Sequence, residues 1–446
     1  MLAPLALPIC LAFIFIALRQ DMRECREVSH ALWIPLVWLA EIASRPLILW
    51  VNPNLPSYRS TDLVQSDYLQ GSPLERVFLI VLLCVGVIVL LKRRDRFALR
   101  FADNRYLFFY YAYILLSCGW SDYQGASVRK WIRGAVNIVM VLIVLTEDRH
   151  EEAIEHILRR CAFVLMPLSV VLIKYYSYIG TGYSLDGSRM WTGVTTQKNS
   201  LGILCAIIGT FFVWRLLKRW PKLELYDVVL FILTLYLLRG ASSITSDVVF
   251  IMGTIIVIMG RLYRANVKKL RNAFVITLIF AVIFQASFIA FFNDSLVSQF
   301  FSISGRNASF TGRIPLWRDI LKIGNRSPIF GSGYGTFWIR NLEQIWSRYR
   351  FHPTNGHNGY IDVYLDYGLA GLLLLLMLII HAYKNILGKF SSDIGINLLL
   401  LAFLTMILVH NISESTLAIQ TNLLWFLLVL SSVVVTKRIP PSIAET

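Results

Sequence analysis

The stretch GLLLLLMLII at residues 371–380 decides the class of the fold. It contains no polar side chain, so it shows neither the apolar stripe of an amphipathic helix nor the alternation of a half-buried strand. Similar apolar blocks recur along the 446 residues, and charged segments separate them. Blocks close to the roughly 20 residues that cross a bilayer indicate transmembrane helices. The sequence therefore predicts an all-α, polytopic transmembrane helix bundle.

The composition supports one membrane domain over residues 1–446. Hydrophobic residues make up 56% of the chain and charged residues only 16%, against about a quarter charged in soluble domains. The first apolar segment lacks a basic start and a small-residue cleavage site, so we expect a retained helix rather than a signal peptide. Several segments are shorter than about 20 residues, which leaves the count at twelve or thirteen spans. The predicted spans are 1–18, 31–50, 75–91, 106–119, 134–146, 161–179, 200–217, 226–238, 246–260, 273–292, 368–383, 395–411 and 420–436.

Basic residues in alternate connections predict the orientation. Short loops rich in Lys and Arg stay in the cytoplasm, and the mixed connection at 148–160 falls on the same side. The amino terminus then faces outward and the carboxyl terminus inward, as expected for a multi-pass protein of a bacterial inner membrane. The net charge of +16 is explained by anionic membrane lipids near these loops and requires no nucleic acid. The basic connections are 19–26, 92–105, 215–222, 261–271 and 437–438.

One outer connection, residues 293–367, is much longer than the others. A loop of that length is usually functional or disordered. It is rich in Trp, Tyr, Phe and Gly, and it contains the amphipathic stretch IPLWRDILKI at residues 314–323. We therefore predict an ordered, partly helical cap on the periplasmic surface, which is the candidate functional region.

Basic residues in the outer connections run against the usual charge bias of a membrane protein. Long outer loops translocate regardless of charge, but this explains the shorter connections less well. Guanidinium groups form bidentate, charge-assisted hydrogen bonds with phosphate. These residues therefore predict a phosphate or pyrophosphate ligand at the membrane surface. The candidate binding residues are Arg129, Arg189, Lys198, Arg239, Arg306 and Arg313.

His357 is the candidate catalytic residue, in the sequence HPTNGHNGYIDVYLDYG. Histidine can act as a general base near neutral pH, and Gly359 would let the backbone pass close to a ligand. The alternative is an interfacial histidine that only hydrogen-bonds its neighbours. Asp362 and Asp366 could form a metal site with it, but the loop has no acidic DxD pair and the sequence has no HxxxH. We therefore expect no metal and no cofactor.

Several stretches together resemble the O-antigen ligase and exopolysaccharide polymerase superfamily. Residues 31–50 (ALWIPLVWLAEIASRPLILW) look like the early WIP…W…SR…W helix of that family. Residues 117–134 (SCGWSDYQGASVRKWIRG) and 188–202 (SRMWTGVTTQKNSLG) are similar to its WS and WxGxxxxKNxLG elements. Residues 304–317 (SGRNASFTGRIPLW) and 357–368 (HNGYIDVYLDYG) resemble its paired-arginine segment and its HNxxLDxxxxxG motif.

The resemblance implies a membrane-embedded, GT-C-like, metal-independent glycosyltransferase. Such enzymes use glycans carried on undecaprenyl pyrophosphate at the periplasmic face, and other polysaccharide export and chain-length proteins are candidate partners. By matching motif, His357 would deprotonate the acceptor hydroxyl, and Arg306 and Arg313 would hold the pyrophosphate. Arg189 and Lys198 are further candidates for the same ligand.

Polymerisation of lipid-linked oligosaccharide repeats is the leading interpretation, because residues 188–202 and 304–317 look closer to exopolysaccharide polymerases. An O-antigen ligase with lipid A core as acceptor uses the same chemistry, and a protein-glycosylating oligosaccharyltransferase is a third variant. A transporter of lipid-linked glycans is the alternative from another class. It would place ionisable residues inside spans, whereas the sequence predicts a mostly apolar bundle interior apart from Glu41, Arg45 and Lys174.

Overall fold

A computed structural model describes residues 3–24, 28–53, 72–95, 97–183, 187–262, 313–388 and 395–437. Among these residues, seven helices are long and apolar enough to cross a membrane. The prediction of an all-α, polytopic bundle is thereby confirmed. The helices are α1 Ala3–Glu24, α2 Trp33–Ile42, α3 Leu47–Val51, α4 Pro73–Lys92, α5 Phe101–Ser117, α6 Gln124–Leu145, α7 His150–Tyr175, α8 Ser177–Gly180, α9 Lys198–Arg219, α10 Leu225–Ala241, α11 Ile244–Leu262, α12 Arg313–Gly324, α13 Thr336–Arg340, α14 Leu342–Trp346, α15 Gly359–Gly388, α16 Ile396–Ser413 and α17 Leu423–Ser432.

The predicted spans agree with these helices. The span predicted at 273–292 lies outside the described residues, and every other predicted span overlaps a helix. Two short antiparallel strand pairs lie outside the helices. Strand β1 (Phe97–Ala98) pairs with β4 (Thr436–Lys437), and β2 (Thr181–Tyr183) pairs with β3 (Arg189–Trp191).

The helices divide into central and peripheral members. Helix α9 packs against α10 and α11, and α11 packs against α16. Nearly all of the side chains of α16 are buried, whereas α4 buries only Leu82 and Gly86. Most of the exposed side chains of α4 are apolar, for example Val77 and Ile80. Such a surface is expected where a helix faces lipid.

Helix α15 is broken at Gly368. This glycine has φ 65° and ψ −166°, and a Cβ there would lie 2.2 Å from the Ile329 carbonyl oxygen. The break frees amide groups that would otherwise bond within the helix. The Leu369 amide donates to the Pro328 carbonyl at 2.8 Å, and the Ala370 amide donates to that of Ile329 at 3.1 Å. The membrane span predicted to begin at 368 therefore starts at a new helix that the preceding loop caps.

The part of the long loop from residue 313 to residue 358, which precedes α15, is called the polar segment below. It contains α12, α13 and α14, so its predicted helical content is confirmed for these residues. Leu316 and Ile320 of α12 pack in a separate apolar cluster with Ile361 and Leu365 of α15. The amphipathic stretch at 314–323 therefore fastens the polar segment to the first half of α15.

A second group of buried residues is charged, and it comes mainly from the predicted connections rather than from the predicted spans. Arg159 of α7 contacts Asp21 at 3.1 Å and Asp227 at 3.0 Å, and Arg215 of α9 contacts Asp227 at 2.6 Å. Each of these four side chains is at most 1% exposed. Asp21, Arg159 and Arg215 come from three connections predicted to face the cytoplasm, so those connections meet at one end of the bundle. This end is called the network end.

Candidate active site

The turn before α15 holds His357. Asn358 is the N-terminal cap of the helix, because its Oδ1 accepts hydrogen bonds from the Tyr360 and Ile361 amides at 3.1 Å each. The Asn358 side-chain amide donates to the Ile412 carbonyl at 3.1 Å, near the end of α16. His357 has a φ of 48°, in a region that residues with side chains seldom adopt. The cap and its tie to α16 hold the histidine in this conformation.

The turn after α16 holds Glu414. The Asn411 side-chain oxygen accepts hydrogen bonds from the Thr416 and Leu417 amides, both at 2.9 Å, and so fixes the chain as it leaves the helix. The Gly359 amide donates to the Glu414 carbonyl at 3.1 Å. A Cβ on Gly359 would lie 2.0 Å from the Asn411 oxygen. The glycine that the sequence predicts beside a ligand is therefore required for close packing of the two turns.

Three side chains converge on the Glu414 carboxylate. Arg313 Nη2 lies 3.1 Å from Oε1, and Asn199 Nδ2 donates to the same oxygen at 2.7 Å. His357 Nδ1 lies 3.5 Å from Oε2. Arg313 also donates from Nη1 to the Ser413 carbonyl. We call Asn199, Arg313, His357 and Glu414 the site cluster, and its members come from four separate parts of the chain.

The site cluster is partly open. The side chains of Arg313 and Glu414 are each 12% exposed, and that of His357 is 26% exposed. Burial alone would raise the pKa of Glu414, but the hydrogen bond from His357 and the charge of Arg313 outweigh it and lower that pKa. Glu414 is therefore an anion at neutral pH. It faces Nδ1 of the His357 imidazole, a side chain that is 26% exposed.

Asp362 accepts hydrogen bonds from both of these turns. Its two carboxylate oxygens each accept a hydrogen bond from the Gly356 amide at 3.0 Å, directly before His357. The Ser415 hydroxyl, directly after Glu414, donates to Oδ2, and the Trp338 indole donates to Oδ1 at 2.9 Å. One buried carboxylate thus holds the backbone beside both His357 and Glu414.

Asp366 has a similar role one helical turn further along α15. It accepts hydrogen bonds from the Gly335 amide at 3.0 Å and the Phe337 amide at 3.3 Å, at the start of α13. It also interacts electrostatically with Lys130. Both aspartates that could have joined His357 in a metal site therefore bind main-chain amides. Within the described ranges, no group of three or more His, Cys, Asp or Glu side chains is placed to hold a metal ion.

The structure brings some of the residues predicted for substrate binding together. Arg313 is in the site cluster, and Lys198 begins α9 directly before Asn199. Arg306 lies outside the described residues. Arg129, Arg189 and Arg239 have exposed side chains on three other elements, and none is a partner of Glu414. The Arg189 guanidinium donates to the Ile173 carbonyl at 3.4 Å.

Sequence reasoning missed Glu414 and Asn199. Asn199 follows Lys198 in the KN pair of residues 188–202, and this motif was the signal that could have identified it. Glu414 is an acidic residue in a short connection predicted to face outward, where the binding residues are basic. Neither signal pairs the two residues, which are 215 positions apart in the chain.

Known proteins match this chain both as a family and as individual relatives. The family described as "O-Antigen ligase" matches residues 228–376, a range that contains Arg313 and His357. The exopolysaccharide production protein ExoQ of Rhizobium meliloti (strain 1021) is 24% identical over 307 residues, which cover 66% of this chain and 67% of ExoQ. A putative polysaccharide ligase of Rickettsia felis is 25% identical over 278 residues, which cover 52% of this chain and 67% of that protein.

These matches confirm the resemblance carried by the sequence motifs. The family match covers the polar segment and the first half of α15, and the alignment with ExoQ covers about two thirds of both chains. Together they support placing the chain with the O-antigen ligase and exopolysaccharide superfamily, as an enzyme of the glycosyltransferase type.

Proposed function

We propose that this protein is a polymerase that joins undecaprenyl-pyrophosphate-linked oligosaccharide repeats into exopolysaccharide or O-antigen. The reaction would take place at the periplasmic face of a bacterial inner membrane. The observation that carries the proposal is the site cluster, in which an accessible histidine faces a carboxylate that an arginine and an asparagine hold in place.

His357 is the proposed general base. Its Nδ1 faces Glu414, so a proton on Nδ1 leaves Nε2 as the acceptor of the proton from the sugar hydroxyl. The anion of Glu414 stabilises the imidazolium that forms, as in other carboxylate–histidine pairs. The separation of 3.5 Å is long for a hydrogen bond, and such contacts often shorten only when substrate is bound.

Positive charge beside His357 is proposed to hold the pyrophosphate. Arg313 is fixed by Glu414 and by the Ser413 carbonyl, so its guanidinium requires little reorganisation when a leaving group becomes charged. Lys198 begins α9, and the amino-terminal end of a helix favours anions. Arg306 remains proposed for the pyrophosphate by its motif, Arg189 is a further candidate for it, and Arg129 and Arg239 remain candidates for contacts with the lipid-linked substrate.

The proposed reaction is a single displacement. The acceptor oxygen forms a bond with the anomeric carbon while the bond from that carbon to the pyrophosphate oxygen breaks. The lipid-linked pyrophosphate leaves with the bonding electrons on its oxygen, and the proton of the acceptor passes to His357. Direct displacement inverts the anomeric configuration, and the fixed cations stabilise the leaving group without a metal ion.

The choice between polymerase and ligase rests on the relatives. The relative aligned with the larger share of this chain is named for exopolysaccharide production, and this supports a growing glycan as the acceptor. The other is named a putative polysaccharide ligase, so ligation to lipid A core is the second candidate. Both activities use the same base and the same leaving group.

Reconstitution into liposomes with lipid-linked repeat units distinguishes the candidates. These units can be isolated from cells that lack this protein, and the products separated by size. A ladder of lipid-linked products supports the polymerase, whereas transfer to added lipid A core and no ladder supports the ligase. Movement of the units across the bilayer without any new glycosidic bond would overturn both. We expect the ladder to persist in EDTA, and its loss there would contradict a metal-independent reaction.

A further inference from the structure

Arg45, in the turn between α2 and α3, makes an unusual set of contacts. Its side chain is buried, with only 6% of the residue exposed. Its guanidinium lies 5.2 Å from the centre of the Trp50 ring. Its side-chain hydrogen bonds go to the main-chain carbonyls of Ile179 (2.8 Å), Gly193 (2.9 Å), Val194 (3.3 Å) and Thr195 (2.9 Å). Burial of a charge in a membrane domain is costly. Here four main-chain carbonyls accept hydrogen bonds from the buried guanidinium.

Three of these carbonyls belong to one turn, residues 192–195, which we call the entry turn because it leads into α9. The entry turn is also fixed from other directions. The Ser169 hydroxyl of α7 accepts a hydrogen bond from the Val194 amide at 3.2 Å, and the Thr195 hydroxyl donates to the Thr192 carbonyl at 2.8 Å. The Arg45 amide donates to the Val194 carbonyl at 2.9 Å. Arg45 therefore lies at the centre of a group of hydrogen bonds that fixes the entry turn.

The entry turn is followed within a few residues by the site cluster. Lys198 and Asn199 are the first two residues of α9, so the conformation of residues 192–195 sets where these side chains begin. Asn199 donates to Glu414 at 2.7 Å, and Glu414 faces His357. A continuous line of contacts thus joins Arg45 to the proposed base, although Arg45 does not touch the site cluster itself.

We propose that Arg45 is a positioning residue for glycosyl transfer. It holds the entry turn so that Asn199 meets Glu414 and Lys198 faces the leaving group. The proposal rests on the proposed function, because it assigns Arg45 to the same site. A guanidinium suits this role, since its rigid planar fork carries several donors, whereas an ammonium is a point charge with three.

The alternative is that Arg45 only stabilises the bundle, and the two roles differ in what they predict. If Arg45 acts through the entry turn, Arg45→Met and Asn199→Ala together should lower kcat by less than the product of their separate effects. Both changes disturb the same contact between Asn199 and Glu414. A residue that only stabilises the bundle should give an effect that multiplies with that of Asn199→Ala. A double-mutant cycle measures this difference directly.

The experiment compares Arg45→Met, Arg45→Lys, Asn199→Ala and the Arg45→Met/Asn199→Ala double variant. Polymer formation is measured in liposomes with lipid-linked repeat units. We expect Arg45→Met to lower kcat by up to about a hundredfold, as a small misplacement in an active site can do. Arg45→Lys should recover only part of the loss, and Asn199→Ala should cost little more in the Arg45→Met background. Multiplicative effects, or full activity of Arg45→Met, would overturn the proposal.

Arg93→Met is the matched control. Arg93 is also largely buried, is bonded to the Ile143 carbonyl at 3.0 Å, and lies away from the entry turn. Its variant should keep kcat within about twofold of the wild type, because its hydrogen bonds with Ile143, Thr146 and Glu147 lie outside the entry turn and the site cluster. If Arg45→Met does not fold, Arg45→Lys carries the cycle with Asn199→Ala.

Hydrogen exchange separates failure of this proposal from failure of the proposed function. Amide exchange over residues 192–199 should rise in Arg45→Met and Arg45→Lys, and it should not change in Arg93→Met. Unchanged exchange over those residues would overturn the positioning role, whatever the reaction is. A wild-type protein that makes no glycosidic bond would instead overturn the proposed function.

Discussion

The two ends of the bundle use the same kinds of charged side chain in opposite ways. At the network end, Arg159 and Arg215 are at most 1% exposed, and each has several acidic partners. At the end that carries the site cluster, His357 is 26% exposed and faces a single carboxylate at 3.5 Å. Fully paired, buried charges are typically structural, because removal of one partner strongly destabilises the fold. A group left accessible beside a fixed ion pair is available for chemistry.

The same helices connect the two ends, which makes the comparison testable. Helix α9 begins at Lys198 beside the site cluster and includes Arg215 at the network end. At 1.5 Å per residue, Asn199 and Arg215 are separated by about 24 Å along the helix. Changes at that distance usually have independent effects. Substitutions at the two ends should therefore separate activity from stability.

The largest expected effect on activity is that of His357→Ala. Removal of a general base typically costs about 10²–10⁴-fold in rate, and a partly exposed side chain contributes little to packing. We expect the variant to insert normally, melt close to the wild-type temperature because Arg313 and Asn199 still hold Glu414, and make no detectable ladder from lipid-linked repeat units. His352→Ala is the control, because His352 is exposed and stacks on Trp346. A His357→Ala protein that makes full polymer would exclude the general-base role.

The reverse pattern is expected for Arg159→Met at the network end. Loss of this guanidinium leaves Asp21 and Asp227 buried with fewer partners, and breaking a buried ion pair costs about 3–5 kcal/mol. The measurement is the unfolding free energy in detergent, with polymer formation normalised to folded protein. Activity per folded molecule should remain near the wild-type value.

Arg19→Met is the control for that substitution, because Arg19 is on the same helix as Asp21 but is exposed. It changes the net charge equally and should leave the unfolding free energy within about 0.5 kcal/mol of the wild type. Equal stability of the Arg159→Met and Arg19→Met proteins would show that the network is not structural. The contrast between the two ends would then fail.

The same contrast explains how much the sequence could predict. The spans depend on local composition, so apolar blocks such as residues 371–380 located them, and the motifs at 304–317 and 357–368 identified Arg313 and His357. Contacts between distant parts of the chain were not visible. Arg313 and Glu414 are 101 positions apart, and Arg159 and Asp21 are 138 positions apart. Residues in three predicted cytoplasmic connections were assigned to lipid and solvent, although folding buries them against one another.

A smaller loss of activity is expected for Glu414→Gln. The amide keeps the shape of the carboxylate but removes the charge that faces His357 and Arg313. Charged hydrogen bonds contribute about 1.5–3 kcal/mol, which corresponds to a fall in kcat of about ten- to a hundredfold. Gln124→Glu serves as a control, because it changes an exposed amide on α6 in the opposite sense. Unchanged kcat in Glu414→Gln would exclude the carboxylate–histidine pair.

The pH dependence of stability tests the same residue. His357 and Arg313 lower the pKa of Glu414 in the folded protein, against the effect of burial. A lowered pKa adds stability above the unfolded-state value, and this is lost as the pH falls through the folded-state value. The stability advantage of the wild type over Glu414→Gln should be complete above about pH 5 and shrink below about pH 4. Thermal melting across this range measures it, and an advantage independent of pH would contradict the ion pair.

The smallest effect is expected for Asp362→Asn, because Asp362 acts through the backbone on either side of the site. Every recorded partner of its carboxylate is a donor: the Gly356 amide, the Ser415 hydroxyl and the Trp338 indole. An asparagine turns one acceptor into a donor, so at least one of these bonds is lost. The loss of about 1–1.5 kcal/mol from the positioning of His357 and Glu414 should lower kcat about tenfold.

Asp319→Asn is the matched control for Asp362→Asn. Asp319 is also in the polar segment, and it contacts Arg348 at 3.3 Å and the Tyr349 hydroxyl at 3.0 Å, away from the site cluster. If a carboxylate matters only for the stability of the polar segment, both variants should retain kcat per folded molecule. If Asp362 sets the spacing of His357 and Glu414, only Asp362→Asn should lower kcat. It should do so without changing the EDTA resistance of the reaction, since the Gly356 amide, the Ser415 hydroxyl and the Trp338 indole already donate to its carboxylate oxygens.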